Sequence, residues 1–238
     1  MSRRLCVWSG PRNLSTALMY AFAARGDCAC LDEPFYAAYL AATGLDHPLR
    51  EAVLASQPTD PQAVARACAA DAPEALIYQK HMVLHLLPHF PRGWMRDCDH
   101  VLLIRHPARV VASYARKRES PTAADLGFLQ QERLWQEIAD LTGRPPPIIA
   151  AESVRADPRG ALSRLCAALD LPFTEAMLSW PAGPKPFDGV WAPHWYGAVH
   201  RSTGFEPPEG DPPRLEGAYA RLAAEGLPPW ERLMARAI

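Results

Sequence analysis

Features that define whole classes of protein are missing from this sequence. No run of 18 consecutive apolar residues occurs, so a membrane-spanning helix is not expected. The apolar run that follows Arg3 and Arg4 is too short for a secretory signal peptide. An excess of charge is also missing, because the formal net charge is −1. We therefore expect neither a nucleic acid nor a membrane surface as a partner.

The cysteine pattern argues against two further kinds of site. None of the six cysteines belongs to the C-x-x-C pair that is typical of redox and zinc sites. They predict reduced thiols in a cytoplasmic protein rather than disulfides, and no bound metal is expected. The six positions are Cys6, Cys28, Cys30, Cys68, Cys98 and Cys166.

What the sequence does contain is an alternation of short apolar segments with helical patterns. Apolar runs predict five strands, at 5–8, 28–31, 75–79, 100–104 and 148–151. Helices are predicted at 15–24, in two or three segments of 35–70, from 107 to about 118, and at 126–141, 158–169 and 215–237. This alternation predicts an α/β fold, with one parallel sheet covered by helices on both faces. Because neither a repeat nor a linker interrupts it, we expect a single domain over residues 1–238.

Residues 9–17 join the first predicted strand to the first predicted helix through a tight turn. Such a junction gathers backbone N–H groups and the positive end of the helix dipole, which favours binding of phosphate or sulfate. Arg12 adds a forked cation, while Ser15 and Thr16 add hydroxyl donors. The second glycine and the lysine of the nucleoside-triphosphate loop G-x-x-x-x-G-K-[ST] are missing. The candidate anion-binding residues are Gly10, Pro11, Arg12, Asn13, Leu14, Ser15 and Thr16.

Polar residues also follow three other predicted strands. Glu33 comes after the second strand, and Pro34 disfavours helical geometry at that glutamate. Lys80 follows the third strand and Arg105 follows the fourth. Because ligands bind beyond the carboxyl ends of the strands in such sheets, we expect these side chains to gather beside residues 9–17.

The segment Pro11-Arg12-x-x-Ser15-Thr16 resembles the 5′-phosphosulfate loop of sulfotransferases that use 3′-phosphoadenosine-5′-phosphosulfate (PAPS). The family pattern is P-[KR]-[ST]-G-[ST]-[ST], from which this sequence departs at Asn13-Leu14. The resemblance implies a P-loop-type α/β fold with PAPS as the co-substrate and no metal.

Three later segments extend the resemblance to about residue 205. In residues 101–118, Ser113 follows Arg105 by eight positions, as in the family's 3′-phosphate element. Residues 150–173 resemble a largely structural strand–helix segment of the family. The segment Val199-His-Arg201-Ser-Thr-Gly204 resembles the loop that closes over the nucleotide, and it belongs to a predicted closing loop and helix at 181–238. The resemblance implies that Arg105, Ser113 and Arg201 bind the 3′-phosphate.

Sulfuryl transfer requires cations for the developing charge and a base for the acceptor. Arg12 and Lys80 are the candidate cations. Three candidate bases remain open: Glu33, His81 and His85. The Glu-Pro context of Glu33 resembles sulfotransferases with a glutamate after the second strand. His81 and His85 follow Lys80, and this segment resembles the family's K-T-H segment, from which the one-residue spacing of Lys80 and His81 departs. If the strand continued through Lys80 and His81, these side chains would point to opposite faces, which favours His85 over His81.

The sequence therefore predicts sulfuryl transfer from PAPS to a hydroxyl or amine of a small-molecule or carbohydrate-type acceptor. One alternative is a nucleotide kinase or NTPase, because the segment from Cys28 to Glu33 resembles a Walker-B strand that ends in acidic residues. The missing glycine–lysine pair argues against that alternative. Another is a non-catalytic nucleotide-binding protein on the same fold, which the departures at Asn13-Leu14 and around Lys80 leave open.

Overall fold

Five strands form one parallel sheet in the computed structural model, which describes residues 2–116 and 121–238. Their order across the sheet is β2-β3-β1-β4-β5, and each pair of neighbours is parallel. This arrangement confirms the predicted α/β class. The strands are β1 (Arg3–Ser9), β2 (Cys28–Asp32), β3 (Leu76–Met82), β4 (Asp99–Ile104) and β5 (Ile148–Ala150).

Helices connect the strands and cover the sheet. They are α1 (Ser15–Ala23), α2 (Tyr36–Thr43), α3 (Arg50–Ser56), α4 (Pro61–Cys68), α5 (Pro107–Ala115), α6 (Ala123–Leu126), α7 (Phe128–Thr142), α8 (Ala151–Ala156), α9 (Pro158–Ala168), α10 (Ala192–Trp195), α11 (Gly197–Arg201) and α12 (Gly217–Met234). Short 3₁₀ turns occur at Val83–His85, Gly93–Asp97 and Glu175–Leu178.

The alternation of side chains along β1 explains why helices cover both faces. Leu5 and Val7 pack in one core cluster with residues of α1 and α9. Cys6 and Trp8 pack on the opposite face, in a second cluster with residues of α4 and α7. Because both faces of the central strand are apolar and buried, the sheet is stable only with a helical layer on each side.

The structure shifts several predicted boundaries. Strand β3 continues to Met82 instead of ending at position 79, so Lys80 lies within a buried strand, where carboxylates balance its charge. The helix predicted to reach about Arg118 is described only to Ala115, and the remainder of that prediction lies outside the described residues. The predicted loop at 181–213 contains α10 and α11, while the predicted final helix is shorter at both ends.

Candidate active site

One cavity of about 300 Å³ lies at the edge of the sheet where β1 to β4 end. It gathers most of the side chains that the sequence singles out, together with residues from the last fifth of the chain. Predicted residues that line it are Pro11, Arg12, Leu14, Ser15, Thr16, Glu33, Lys80, His85, Arg105 and Ser113. Lining residues that were not predicted include Tyr36, Arg155, Trp195, Tyr196 and Glu209.

The loop between β1 and α1 has an unusual backbone. Arg12 and Leu14 have left-handed φ angles of 62° and 74°. Between them, the buried Asn13 points into the protein, and its Nδ2 donates to the carbonyl of Leu103 at 3.0 Å. No described side chain caps α1, so the N–H groups of its first turn remain available to an anion.

Two members of the predicted loop support the site from outside the cavity. Asn13 anchors the turn to β4, as described above. Gly10 lies so close to α6 that a Cβ there would be 2.8 Å from the carbonyl oxygen of Leu126. Both residues therefore shape the loop without lining the cavity.

Arg12 links the loop to α5 and to the C-terminal part of the chain. Its Nε donates to Ser113 Oγ at 3.0 Å, and its Nη1 donates to the carbonyl of Trp195 at 3.4 Å. Its own carbonyl accepts from Arg105 Nη1 at 2.7 Å. Burial, followed by the charges of Arg105 and Arg116, lowers the pKa of the Arg12 guanidinium, and no carboxylate among the described residues forms an ion pair with it.

Lys80 is the centre of a buried network that the sequence did not predict. Its Nζ donates to Asp32 Oδ1 at 2.8 Å, to Glu33 Oε1 at 2.5 Å and to the Tyr196 hydroxyl at 2.6 Å. The Tyr196 hydroxyl donates to Asp32 Oδ2 at 2.7 Å and accepts from Trp191 Nε1 at 2.9 Å. All three protons of the ammonium are thus engaged within the protein. Lys80 accordingly orients and balances carboxylates in this arrangement.

Glu33 combines a strained backbone with an unusual titration. Its φ is 45°, although its N–H still donates to the carbonyl of Lys80 at 2.9 Å. Burial raises the pKa of its carboxyl, the charge of Lys80 opposes that shift, and the charge of Asp32 adds to it. A carboxyl whose pKa is raised above its usual range is better matched to proton abstraction near neutral pH.

His85 lies beside Glu33 at the far end of the cavity. Its Nδ1 is 3.6 Å from Glu33 Oε2, and its ring stacks on Tyr36 with centroids 4.4 Å apart. Burial, followed by the charge of His47, lowers the pKa of His85 well below its usual value, so the imidazole is neutral. Glu33 and the neutral His85 therefore lie side by side, and the Glu33 carboxyl is the one whose pKa is shifted towards neutral pH.

His81 and Arg201 are not brought into this arrangement. The ring of His81 stacks on Trp8 at 4.2 Å on the other face of the sheet, as the alternation along β3 requires, and burial lowers its pKa to about 3. Arg201 lies at the end of α11 with an exposed side chain, although the neighbouring Ser202 lines the cavity. Neither prediction of a site role is supported by these positions.

The remaining charged part of the cavity surrounds Arg105. Its Nη2 donates to both carboxylate oxygens of Glu209, at 2.5 and 2.6 Å. Glu209 comes from a proline-rich loop without a helical or strand period, so this contact could not be predicted from the sequence. A cluster of acidic residues or prolines alone does not predict which arginine it approaches.

Within residues 2–116 and 121–238, no group of three or more His, Cys, Asp or Glu side chains is placed to hold a metal ion. No helix in the same ranges is both long and apolar enough to cross a membrane.

The sequence of this chain is similar to a known protein family and to relatives in Arabidopsis thaliana. The family model described as "Sulfotransferase domain" matches residues 3–237. Branched-chain-amino-acid aminotransferase-like protein 1 of Arabidopsis thaliana is 38% identical over 222 residues, which are 93% of this chain and 40% of that protein. This chain thus spans less than half the length of that relative.

Two solved structures are also similar. A sulfotransferase domain from the curacin biosynthetic pathway has 17% sequence identity to this chain and a TM-score of 0.43. The match covers 94% of this chain and 97% of that domain's chain. A sulfotransferase domain from the Synechococcus PCC 7002 olefin synthase has 18% identity and a TM-score of 0.48, covering 94% of each chain. The match of the family model along nearly the whole sequence shows that this chain belongs to the sulfotransferase domain family.

Proposed function

We propose that this protein transfers a sulfuryl group from PAPS to a hydroxyl or amine of a small-molecule acceptor. The observation that carries the proposal is that a buried carboxyl of raised pKa, Glu33, shares one cavity with the uncapped anion loop at residues 9–17. A base and an anion site at one cavity are what transfer between a bound phosphosulfate and an acceptor requires.

The donor would lie along the edge of the sheet. Arg12, Ser15, Thr16 and the first N–H groups of α1 would hold the 5′-phosphosulfate. Arg105, at the end of β4, would hold the 3′-phosphate. Ser113 bonds to Arg12 rather than Arg105, so we place its hydroxyl at the 5′ end of the donor.

The chemistry assigns a distinct role to each charged side chain. The acceptor oxygen or nitrogen attacks sulfur, the bond from sulfur to the 5′-phosphate oxygen breaks, and the acceptor proton passes to Glu33. Arg12 and the N–H groups of the loop stabilise the charge on the departing phosphate. Lys80 holds Glu33 Oε1, which leaves Oε2 as the proton acceptor, with neutral His85 at 3.6 Å. Lys80 is therefore a positioning residue in this proposal.

The acceptor would occupy the end of the cavity beyond Glu33. That end is lined by Tyr36, Leu84, His85 and Trp195. Aromatic and apolar walls of this kind favour a small acceptor with one flat or apolar face and a single polar group near Glu33. We extend the proposal to a cytoplasmic protein, because all six cysteines are free thiols in the structure.

Ligand-dependent thermal unfolding tests donor recognition. Adenosine 3′,5′-bisphosphate should raise the melting temperature, and Mg-ATP should do so much less. A ligand at 100 times its dissociation constant stabilises the folded state by about 2.7 kcal/mol, which a melting curve detects easily. Stabilisation by Mg-ATP alone would refute the proposal in favour of a kinase or NTPase.

A second assay separates catalysis from binding alone. The protein should release adenosine 3′,5′-bisphosphate from PAPS when it is incubated with a panel of small alcohols and amines. Binding of the bisphosphate without any release across the panel would instead support a non-catalytic nucleotide-binding protein.

A further inference from the structure

Three arginines from three separate elements meet at one carboxylate. Arg105 leaves β4, Arg109 belongs to α5, and Arg155 belongs to α8. Glu209 accepts two hydrogen bonds from Arg105 Nη2, and its oxygens lie 3.1 Å from Arg155 Nη1 and 3.8 Å from Arg109 Nη1. A second carboxylate, Glu152, lies 3.6 Å from Arg109 Nε.

The loop that carries Glu209 is fastened to the same arginines by its backbone. Arg155 Nε donates to the carbonyl of Pro207 at 2.9 Å, and Arg109 Nη2 donates to the carbonyl of Gly210. Glu206, an exposed residue, lies 3.1 Å from Arg155 Nη2. Each of these contacts to the segment 206–210 comes from an arginine side chain that an incoming anion would also use.

The cluster retains unused capacity for an anion. The Nε atoms of Arg105 and Arg109 are buried, and neither has a hydrogen-bond partner among the described residues. Burial raises the pKa of the Glu209 carboxyl, but the hydrogen bond and charge of Arg105 and the charges of Arg155 and Arg109 lower it overall. Glu209 is therefore an anion here, and its carboxylate offsets the repulsion among the three guanidinium groups.

We propose that Arg105, Arg109 and Arg155 form a site for a phosphate monoester dianion and that Glu209 is its internal stand-in, displaced when the ligand binds. The inference rests on the proposed function, because the ligand's phosphate is taken to be the 3′-phosphate of the donor. Arg105 and Arg155 line the same cavity as the loop at 9–17, so one ligand can reach both ends. In this proposal Arg109 and Arg155 bind the 3′-phosphate, a role that the family resemblance implies for Arg201.

Displacement of a bound carboxylate has a measurable consequence. While Glu209 occupies the cluster, only the fraction of molecules with an open site binds the phosphate at full strength, and the apparent dissociation constant rises in inverse proportion to that fraction. A carboxylate that fills the site in about nine molecules of ten weakens binding about tenfold. A ligand without a 3′-phosphate leaves Glu209 in place and is unaffected.

Calorimetric titration of the full chain with adenosine 3′,5′-bisphosphate and with adenosine 5′-phosphate tests the proposal. Glu209→Gln should bind the bisphosphate about tenfold more tightly than the parent, with affinity for the 5′-phosphate changed less than about twofold. The matched control is Glu175→Gln, which also removes one carboxylate paired with an arginine, Arg159, but at an exposed site. It should leave both affinities unchanged.

Other outcomes are equally decisive. Equal or weaker bisphosphate binding by Glu209→Gln would overturn the stand-in and make Glu209 a permanent counterion of the arginines. If Glu209→Gln does not fold, Arg155→Gln is tested instead. It should weaken binding of the bisphosphate alone by about tenfold or more, whereas an equal loss of affinity for both nucleotides would refute the site.

If the parent binds neither nucleotide, the proposed function fails, and inorganic phosphate becomes the probe. In that case Glu209→Gln should bind inorganic phosphate more tightly than the parent, and equal affinities would overturn this inference as well.

Discussion

Replacing Lys80 by methionine removes the only cation that directly contacts both Asp32 and Glu33 among the described residues. The side chains of Lys80 and Asp32 are 1% exposed and that of Glu33 is 10% exposed. Water therefore has little access to solvate the two carboxylates once the ammonium is removed. Removing one partner of a buried ion pair typically destabilises a protein by about 3–5 kcal/mol. We expect a loss of that size in the free energy of unfolding of Lys80→Met near neutral pH.

The loss should depend on pH in a defined direction. Burial already raises the pKa of Glu33, and removing Lys80 removes the charge that opposes this shift. A group whose pKa is raised in the folded state contributes stability that is present below its unfolded pKa and lost as the pH rises through its folded pKa. Lys80→Met should therefore lose less stability at pH 5 than at pH 8.

Urea unfolding followed by tryptophan fluorescence measures both effects. Lys185→Met is the matched control, because the half-buried Lys185 ammonium bonds to two backbone carbonyls rather than to a buried carboxylate, so its removal should cost less stability than Lys80→Met. Lys80→Met combined with Asp32→Asn should recover part of the stability, since it removes a charge of each sign. If Lys80→Met stays within about 1 kcal/mol of the parent at both pH values, the ammonium does not neutralise these carboxylates and our account of the network is wrong.

The remaining predictions concern the base and the phosphate loop. Glu33→Gln should lower kcat by about 10²–10⁴-fold with bisphosphate affinity nearly unchanged, and full activity of this variant beside an inactive His85→Asn would assign the base to the histidine. Because the pKa of Glu33 is raised, kcat/KM should fall as the pH drops through that value, and this acidic limb should be absent from the residual activity of Glu33→Gln. Gly10→Ala should destabilise the protein by about 1–3 kcal/mol in urea unfolding, since its Cβ would crowd the carbonyl of Leu126, whereas Gly93→Ala, with open space around it, should not.

The parts of the site that sequence reasoning predicted are those set by local geometry. A strand followed by a turn and a helix determines where Arg12, Ser15 and Thr16 lie. In the same way, the end of β4 at Ile104 determines where the backbone of Arg105 lies. The alternation of side chains along β3 predicted that Lys80 and His81 separate, and the structure confirms it. Local rules of this kind need no knowledge of distant residues.

The parts that could not be predicted depend on contacts between distant segments. Tyr196 meets Asp32 across 164 positions of sequence, and Glu209 meets Arg105 across 104. Both partners come from a segment rich in proline and aromatic residues, whose path over the sheet follows no helical or strand period. The sequence consequently predicts that Lys80 is a cation for the substrate, whereas its three ammonium protons are already engaged within the protein.

The hydrogen bond between Lys80 and Tyr196 also constrains the order in which parts of the chain can fold during synthesis. The two residues are separated by 116 positions, so roughly 6–23 seconds pass between their appearance at about 5–20 residues per second. During that interval β1 and β3 can pair, but the ammonium lacks its hydroxyl partner and the cover that Trp191 and Tyr196 provide. We therefore expect the end of β3 to stay hydrated until the chain beyond residue 196 has emerged, so that closure of the candidate site is a late event in folding.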